Sequence, residues 1–424
     1  MNVREMAVDA VAKILKENAY SNITINDYLN YSNFNYEDRK LFTNLVYGTV
    51  ENKIYIDFLL KPFLKGKQIK PWVKDVLRLS IYQLEFLSIP PYAVINEAVE
   101  MTKKKDFMVS KLVNGVLRNY LRTEKVSLES LSRKEQLSIR YSYPLWMVDL
   151  LESQYGLDTV EQMMIASSKV LPTSIRINPI KTTKDEVKQK LDHLQIDYKD
   201  STIVQNGLSV NYPVQTLDIF LSGAITIQDF ASQMVAEAMS PTEHDVILDA
   251  CSAPGGKSAH LSHLTNNNAT IYACDIHPHK IEIMEKGFKR LGCDQIKLID
   301  KDARELNKVF EPKYFDKILI DAPCSGLGVL SHKSEIKYTM TQEKIKNIKQ
   351  LQKELLESLK ELVREGGSIY YSTCTINQEE NQKQAEQFLK QNPNFEKVME
   401  KIILPIGDEP IDGFYICQLR RRTI

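Results

Sequence analysis

The feature that most restricts how this chain can fold is a run of strand-like segments whose apolar residues are continuous rather than alternating. From about residue 241, VILDA, TIYACDI, IKLIDKD, KILIDAP and SIYYSTC follow one another with helical stretches between them. A strand with one wet face alternates apolar and polar side chains, whereas a continuously apolar strand is covered on both faces. Residues 241–424 are therefore expected to form a doubly wound, Rossmann-like α/β domain around a parallel sheet. The longest helix, near 341–365, places Ile345, Ile348, Leu351, Leu355, Leu359 and Leu362 on one stripe and is expected to stop at Gly366-Gly367. FYICQLRRR is expected to close the sheet edge.

The rest of the chain has a different rhythm, and 424 residues exceed one typical domain. Residues 1–125 repeat apolar residues at i, i+3, i+4, as in AVDAVAKIL and VKDVLRLSIYQLEFL, with breaks at Gly66 and Pro90-Pro91. An all-helical bundle is expected there. Residues 126–240 mix helices broken at Pro144 with strands at TSIRIN and LSGAITIQD, which reads as a small α+β connector.

Charge separates the two ends of the chain. Lys+Arg and Asp+Glu both number 55, but residues 1–140 hold 22 basic against 16 acidic side chains. Lys61, Lys65, Lys67, Lys70, Lys74 and Arg78 cluster against Asp75, and Lys103 to Lys105, Lys111, Arg118 and Arg122 form a second group. Such a face binds phosphates even on a neutral molecule, although a solvated helix surface explains it equally well. The first residues lack a signal-peptide core, and no apolar run reaches the roughly 18 residues of a membrane helix, so a cytoplasmic location is expected.

All six cysteines (Cys251, Cys274, Cys293, Cys324, Cys374 and Cys417) fall in the last 174 residues. No C-x-x-C pair and no ligand-spaced histidine accompanies them, so neither a metal site nor a disulfide framework is expected.

Ligands of an open parallel sheet sit beyond the carboxyl ends of its strands. The first such end is DACSAPGGKS, whose glycine pair suits close backbone approach at a helix N-terminus. It lacks G-x-G-x-x-G, and Cys251 stands where a P-loop needs glycine. Asp275 and Asp302 follow the next two strands, where acids grip ribose hydroxyls and a base edge. Carboxylates after successive strands with a glycine turn favour a nucleoside over simple helix capping, and S-adenosylmethionine fits a site without a triphosphate cradle. The fourth and fifth strands end at Asp321-Ala322-Pro323-Cys324 and at Cys374. A lone free cysteine is usually core filler; two at one reactive edge raise the case for chemistry.

DACSAPGGK, IDAPCSGLG and YSTCTINQEEN resemble the motifs of the NOL1/NOP2/Sun family of RNA cytosine-5 methyltransferases, and DRKLFTNLVYGTVENK and KLVNGVLRN resemble a NusB-like domain. Ser252 stands where that family commonly has alanine. The resemblance implies methyl transfer from S-adenosylmethionine to cytosine carbon 5 in small-subunit (16S) ribosomal RNA, with neither membrane nor obligate protein partner. Alternatives are another ribosomal or transfer RNA cytosine, or a non-catalytic RNA-binding protein. Physics alone does not choose between the thiols: the Pro-Cys thiol attacks in DNA methyltransferases, the Thr-Cys thiol in the RNA family. Resemblance to the latter implies Cys374 as nucleophile, Cys324 in product release and Asp321 on the cytosine ring. Cofactor binding is implied for Cys251, Ser252, Ala253, Pro254, Gly255, Gly256, Lys257, Asp275, Asp302 and Asp321. RNA contact is implied for Arg176 and Asn178 (SIRINP), and expected for Lys65, Lys67 and Lys70 on the basic bundle. Glu379 and Glu380 are expected to begin a helix, where negative charge suits the N-terminus.

Overall fold

The structure, a computed structural model, describes residues 2–169, 171–407, 409 and 411–423. The chain forms two compact units, residues 1–168 with 332–341, and residues 169–331 with 342–424.

The first unit is all helical. Some of its helices begin at side chains that satisfy the exposed amides: Asn2 and Glu5 form a reciprocal capping box, Asn35 caps Tyr36–Glu51, and Asp106 caps Phe107–Arg122. The long apolar segment at 40–60 is two helices, Tyr36–Glu51 and Lys53–Leu64, separated at Asn52. Helices Tyr36–Glu51 and Pro71–Phe86 meet closely at Gly48, where a Cβ would fall 1.9 Å from Tyr82 Cζ. Leu45, Val46, Ile56, Leu60, Leu77, Val113 and Leu117 fill the core. Residues 332–341 belong to this unit: Glu335 accepts from Ser21 Oγ (2.8 Å), Lys337 Nζ donates to Tyr141 O (3.1 Å), and Tyr338 OH donates to Glu51 O (3.2 Å).

The second unit holds both sheets. Strands β1 (Thr173–Ile177), β2 (Tyr198–Asp200), β3 (Gly207–Val210) and β4 (Ile225–Ile227) form an antiparallel sheet in the order β2-β3-β1-β4. Strands β5 (Val246–Asp249), β6 (Thr270–Asp275), β7 (Lys297–Asp300), β8 (Phe315–Asp321), β9 (Val363–Thr373), β10 (Phe395–Ile403) and β11 (Phe414–Arg421) form the large sheet, ordered β10-β11-β9-β8-β5-β6-β7. Strands β5 to β9 run parallel; β11 and β10 add antiparallel at one edge. Consecutive residues of β5 and β8 serve opposite faces. Ile247 and Leu319 pack with Val235, Met239 and Met284, while Leu248, Ile318 and Ile320 pack with Leu355, Leu359 and Phe388. The double coverage expected from the apolar runs is present, except at β7, an edge strand with no fully buried residue.

Two expectations are corrected here. FYICQLRRR (β11) is not the edge: β10, whose sequence FEKVMEKII is half polar, pairs outside it. The long helix runs Gln342–Leu359 and passes through a 3-10 turn into β9, which contains Gly366 and Gly367. A Cβ at Gly367 would fall 2.7 Å from Asp316 O, so the pair permits close strand pairing rather than ending a helix.

Candidate active site

The chain runs from β5 outward to β7 and then returns to β8 on the other side of β5. That reversal opens a crevice beyond the carboxyl ends of β5 and β8. Asp249, the last residue of β5, is fully buried there. Its Oδ2 accepts from Ser258 Oγ at 2.6 Å, and its Oδ1 has no protein partner. Ser258 has a single hydroxyl proton, committed to Asp249, so Ser252 Oγ at 2.6 Å donates to Ser258. Burial pushes the Asp249 carboxyl up to about 6.

The turn that follows is tight. Gly255 has φ 97°, and a Cβ on it would fall 2.7 Å from Phe288 Cε1. Helix Gly256–Leu264 starts at once, and nothing lies closer than 3.7 Å to a Cβ built on Gly256. Cys251 sits in this turn with its thiol pushed well up by burial and by the Asp249 carboxylate. Such a thiol is not a nucleophile.

Asp275 ends β6; its Oδ1 accepts from His277 N at 3.0 Å, and Oδ2 lies 3.6 Å from Lys280 Nζ. Asp302 caps the short helix Ala303–Lys308 and is held by the Arg304 guanidinium at 2.6 Å, which keeps its carboxyl below the usual range. These groups only accept hydrogen bonds while ionised. The buried, unpartnered oxygen of Asp249 and the carboxylates of Asp275 and Asp302 thus fit a nucleoside, which presents hydroxyl and amino donors.

Asp321, at the end of β8, accepts from Lys257 Nζ (2.7 Å) and Ser372 Oγ (2.8 Å). Burial opposes charge on Lys257, but the Asp321 carboxylate outweighs it and the ammonium pKa is raised. Lys257, placed by sequence in the cofactor loop, spends its charge on Asp321 and lies 5.0 Å from the centre of the Phe414 ring.

Strands β8 and β9 are parallel neighbours with Asp321 opposite Ser372, so their ends carry the two cysteines to one place. Cys324 Sγ lies 3.3 Å from Cys374 Sγ. The hydrogen bond to Cys374, with burial, holds the Cys324 thiol well above its ordinary value.

Beneath the thiols lies a buried carboxylate that sequence reasoning assigned elsewhere. Glu380 does not begin a helix: the helix starts at Gln382, and Glu380 is 0 % exposed in the turn before it. It accepts from Ser325 N (2.8 Å), Ser325 Oγ, Asn377 Nδ2 (2.9 Å) and Gln352 Nε2 (3.2 Å). Only the alternation TINQEEN, polar yet adjoining a buried strand, hinted at this. Glu379 is the solvent-side member, paired with Lys349 and Lys383.

Arg176 and Asn178 require correction as RNA contacts, since each is 1 % exposed. Arg176 Nη1 donates to His263 Nδ1 at 3.0 Å, and Asn178 Nδ2 donates to Gly223 O (3.0 Å) and Leu291 O (2.8 Å). Both fasten the small sheet to the helices of the large one. On the helical unit Lys65, Lys67 and Lys70 are exposed, with Lys70 3.3 Å from Asp106. Arg78 is buried between Asp57 (2.7 Å) and Asp75 (2.9 Å) and is structural.

A doubly wound sheet with acceptors at three strand ends, in one chain with a ferredoxin-like connector and a helical unit, defines a Rossmann-like methyltransferase with accessory domains. Residues 236–420 match the family model described as 16S rRNA methyltransferase RsmB/F, residues 1–122 the NusB family, and residues 143–216 the RsmF/B-like methyltransferase ferredoxin-like domain. The probable ribosomal RNA small subunit methyltransferase B of Bacillus subtilis is 34% identical over 99% of both chains. Its Shewanella oneidensis counterpart, ribosomal RNA small subunit methyltransferase B, is 30% identical over 100% of both. A methyltransferase homolog protein from Pyrococcus horikoshii has a related fold, with TM-score 0.61 and 25% identity over 69% of this chain and 100% of its own. The chain belongs to the RsmB/F family of small-subunit ribosomal RNA methyltransferases.

Proposed function

We propose that this protein methylates carbon 5 of a cytosine in 16S ribosomal RNA, with S-adenosylmethionine as methyl donor and Cys374 as covalent catalyst. The observation that carries this reading is the 3.3 Å pair of thiols beside Asp321, at the crevice of the sheet. Carbon 5 of cytosine is a weak nucleophile, and addition of a thiolate to carbon 6 turns the ring into an enamine that reacts readily. The cofactor, when bound, supplies an electrophilic methyl group.

The chain's own residues divide the remaining work. Residues 251–257, Asp275 and Asp302 hold the nucleoside, with the Asp249 carboxylate beneath the turn. Asp321, steadied by Lys257 and Ser372, hydrogen-bonds the cytosine edge and favours addition at carbon 6. Cys374 attacks. Loss of the carbon 5 proton to solvent water, with its bonding pair re-forming the carbon 5–carbon 6 double bond, expels the Cys374 thiolate with the sulfur–carbon pair and restores the ring. Cys324 keeps its proton and donates to the Cys374 sulfur, which stabilises that sulfur as it leaves and promotes RNA release. Lys65, Lys67 and Lys70 contact RNA phosphates on the helical unit. A target cytosine must leave its stack to reach the thiol, which favours a single-stranded loop.

Bisulfite sequencing of ribosomal RNA from cells with and without the gene tests this. Loss of one 5-methylcytosine from 16S RNA is expected; an unchanged pattern would refute it.

A further inference from the structure

We propose that Glu380 is a positioning residue that sets the separation of the two thiols, and so the rate of the cysteine chemistry. The inference rests on the methyl-transfer reading but is measurable without it.

The carboxylate grips both thiol loops from below. Cys324 is fixed on each side: the preceding carbonyl, Pro323 O, accepts from Gln352 Nε2 (2.9 Å), and the following amide, Ser325 N, donates to Glu380 Oε2. The same Gln352 amide also reaches Glu380 Oε2. The other oxygen, Oε1, takes the Ser325 hydroxyl and Asn377 Nδ2. Ser325 has thereby spent its one proton, so Thr375 Oγ1, 2.8 Å away, donates to Ser325. Residues 325 and 375, each next to a cysteine, are thus bonded to each other through a hydroxyl that Glu380 orients. The Cys374 loop is held further by Gly328 N to Cys374 O (3.1 Å), Asn381 Nδ2 to Thr375 O (2.8 Å), and Tyr371 OH to Glu380 O (2.7 Å).

The chemistry of this cluster requires a carboxylate. Four donors converge on two oxygens, and an amide would turn one acceptor into a donor facing donors. Glu380→Gln keeps the shape and breaks half the clamp. With the loops released, the sulfurs drift from 3.3 Å, and both the Cys324 hydrogen bond to Cys374 and the aim of Cys374 are lost.

The experiment uses the full chain and glutathione disulfide. Cys324 and Cys374 give up two electrons and two protons, form one S–S bond and release two glutathione molecules. Peptide mapping reads closure as a mass loss of two hydrogens. Closure in Glu380→Gln is expected to be at least about tenfold slower than in the native chain, with kcat reduced by a similar factor. KM for the cofactor is expected to be unchanged, because Asp249 and Asp275 are untouched. A folded Glu380→Gln protein that closes the disulfide and turns over within about twofold of native would overturn the proposal. So would a native chain that never forms the bond. Should Glu380→Gln not fold, Ser325→Ala, which removes only the bridging hydroxyl, is judged by the same rates. A native chain that closes the bond but does not methylate cytosine in 16S RNA would instead refute the proposed function and leave the positioning role intact.

Discussion

Cys324 and Cys374 stand 50 residues apart in sequence, and their sulfurs are 3.3 Å apart in the fold. Each lies just past the end of a strand, Cys324 after β8 and Cys374 after β9, and those strands are parallel neighbours in one sheet. In the proposed mechanism their roles differ: Cys374 bonds to carbon 6 of the cytosine, and Cys324 assists its departure.

Removing each thiol should therefore have opposite consequences for the adduct. Cys374→Ala is expected to reduce methyl transfer by at least about 10³-fold, the scale of losing a covalent nucleophile. Cys324→Ala should accumulate a protein–RNA adduct stable to denaturing electrophoresis. An adduct in Cys374→Ala but none in Cys324→Ala would reverse the assignment.

Acid should weaken the second unit through its buried histidines. His263 accepts from Arg176 at Nδ1 and donates to Leu291 O (3.3 Å) from Nε2, which is the neutral form. Burial, with Arg176 alongside, pulls it down to about 3, and His260 is pulled well below its usual value in the same way. The unfolded chain then binds more protons than the folded one, so this stability is present above about pH 6.5 and lost as pH falls. Asp249 acts in the other sense below about pH 6, since its raised carboxyl protonates more readily when folded. In urea titrations between pH 6.5 and 5, His263→Gln should flatten the pH slope by up to one proton. An identical slope would contradict the neutral assignment.

In the helical unit, Arg78 pairs at once with the buried Asp75 and the half-buried Asp57, and Asp75 also pairs with Lys16 at 2.5 Å. Arg78→Ala leaves Asp75 with Lys16 alone and Asp57 with Lys53 and Lys74, and is expected to cost about 2–3 kcal/mol. Thermal unfolding should register a drop of roughly 10 °C in that unit. Lys61→Ala, on the exposed face, serves as the comparison and should shift it little.

The exposed lysines should appear instead in the salt dependence of RNA binding. Replacing Lys65, Lys67 and Lys70 together by alanine is expected to lower the slope of log K against log salt by roughly 2. Filter binding of 16S fragments measures it, and an unchanged slope would move the RNA path elsewhere.

Much of the catalytic unit was legible because its information is local. An apolar run without alternation means a strand covered twice, and a residue just past such a strand must lie at the ligand-binding edge, which placed Asp275, Asp302, Asp321, Cys324 and Cys374; Asp249, buried at the end of β5, was missed. The edges of the sheet were less legible: β10 is half polar because one side has no neighbour, so its periodicity resembles a surface segment. Arg176 and Glu380 were misread for one shared reason. A charged side chain is presumed exposed unless its partners are known, and here the partners are 87 residues away at His263, and 55 and 28 residues away at Ser325 and Gln352. Sequence determined which side chains arrive at the crevice. Only the tertiary structure decided which stay wet and which are buried to hold the others, because hydrogen bonds between distant segments form only once the sheet has brought them together.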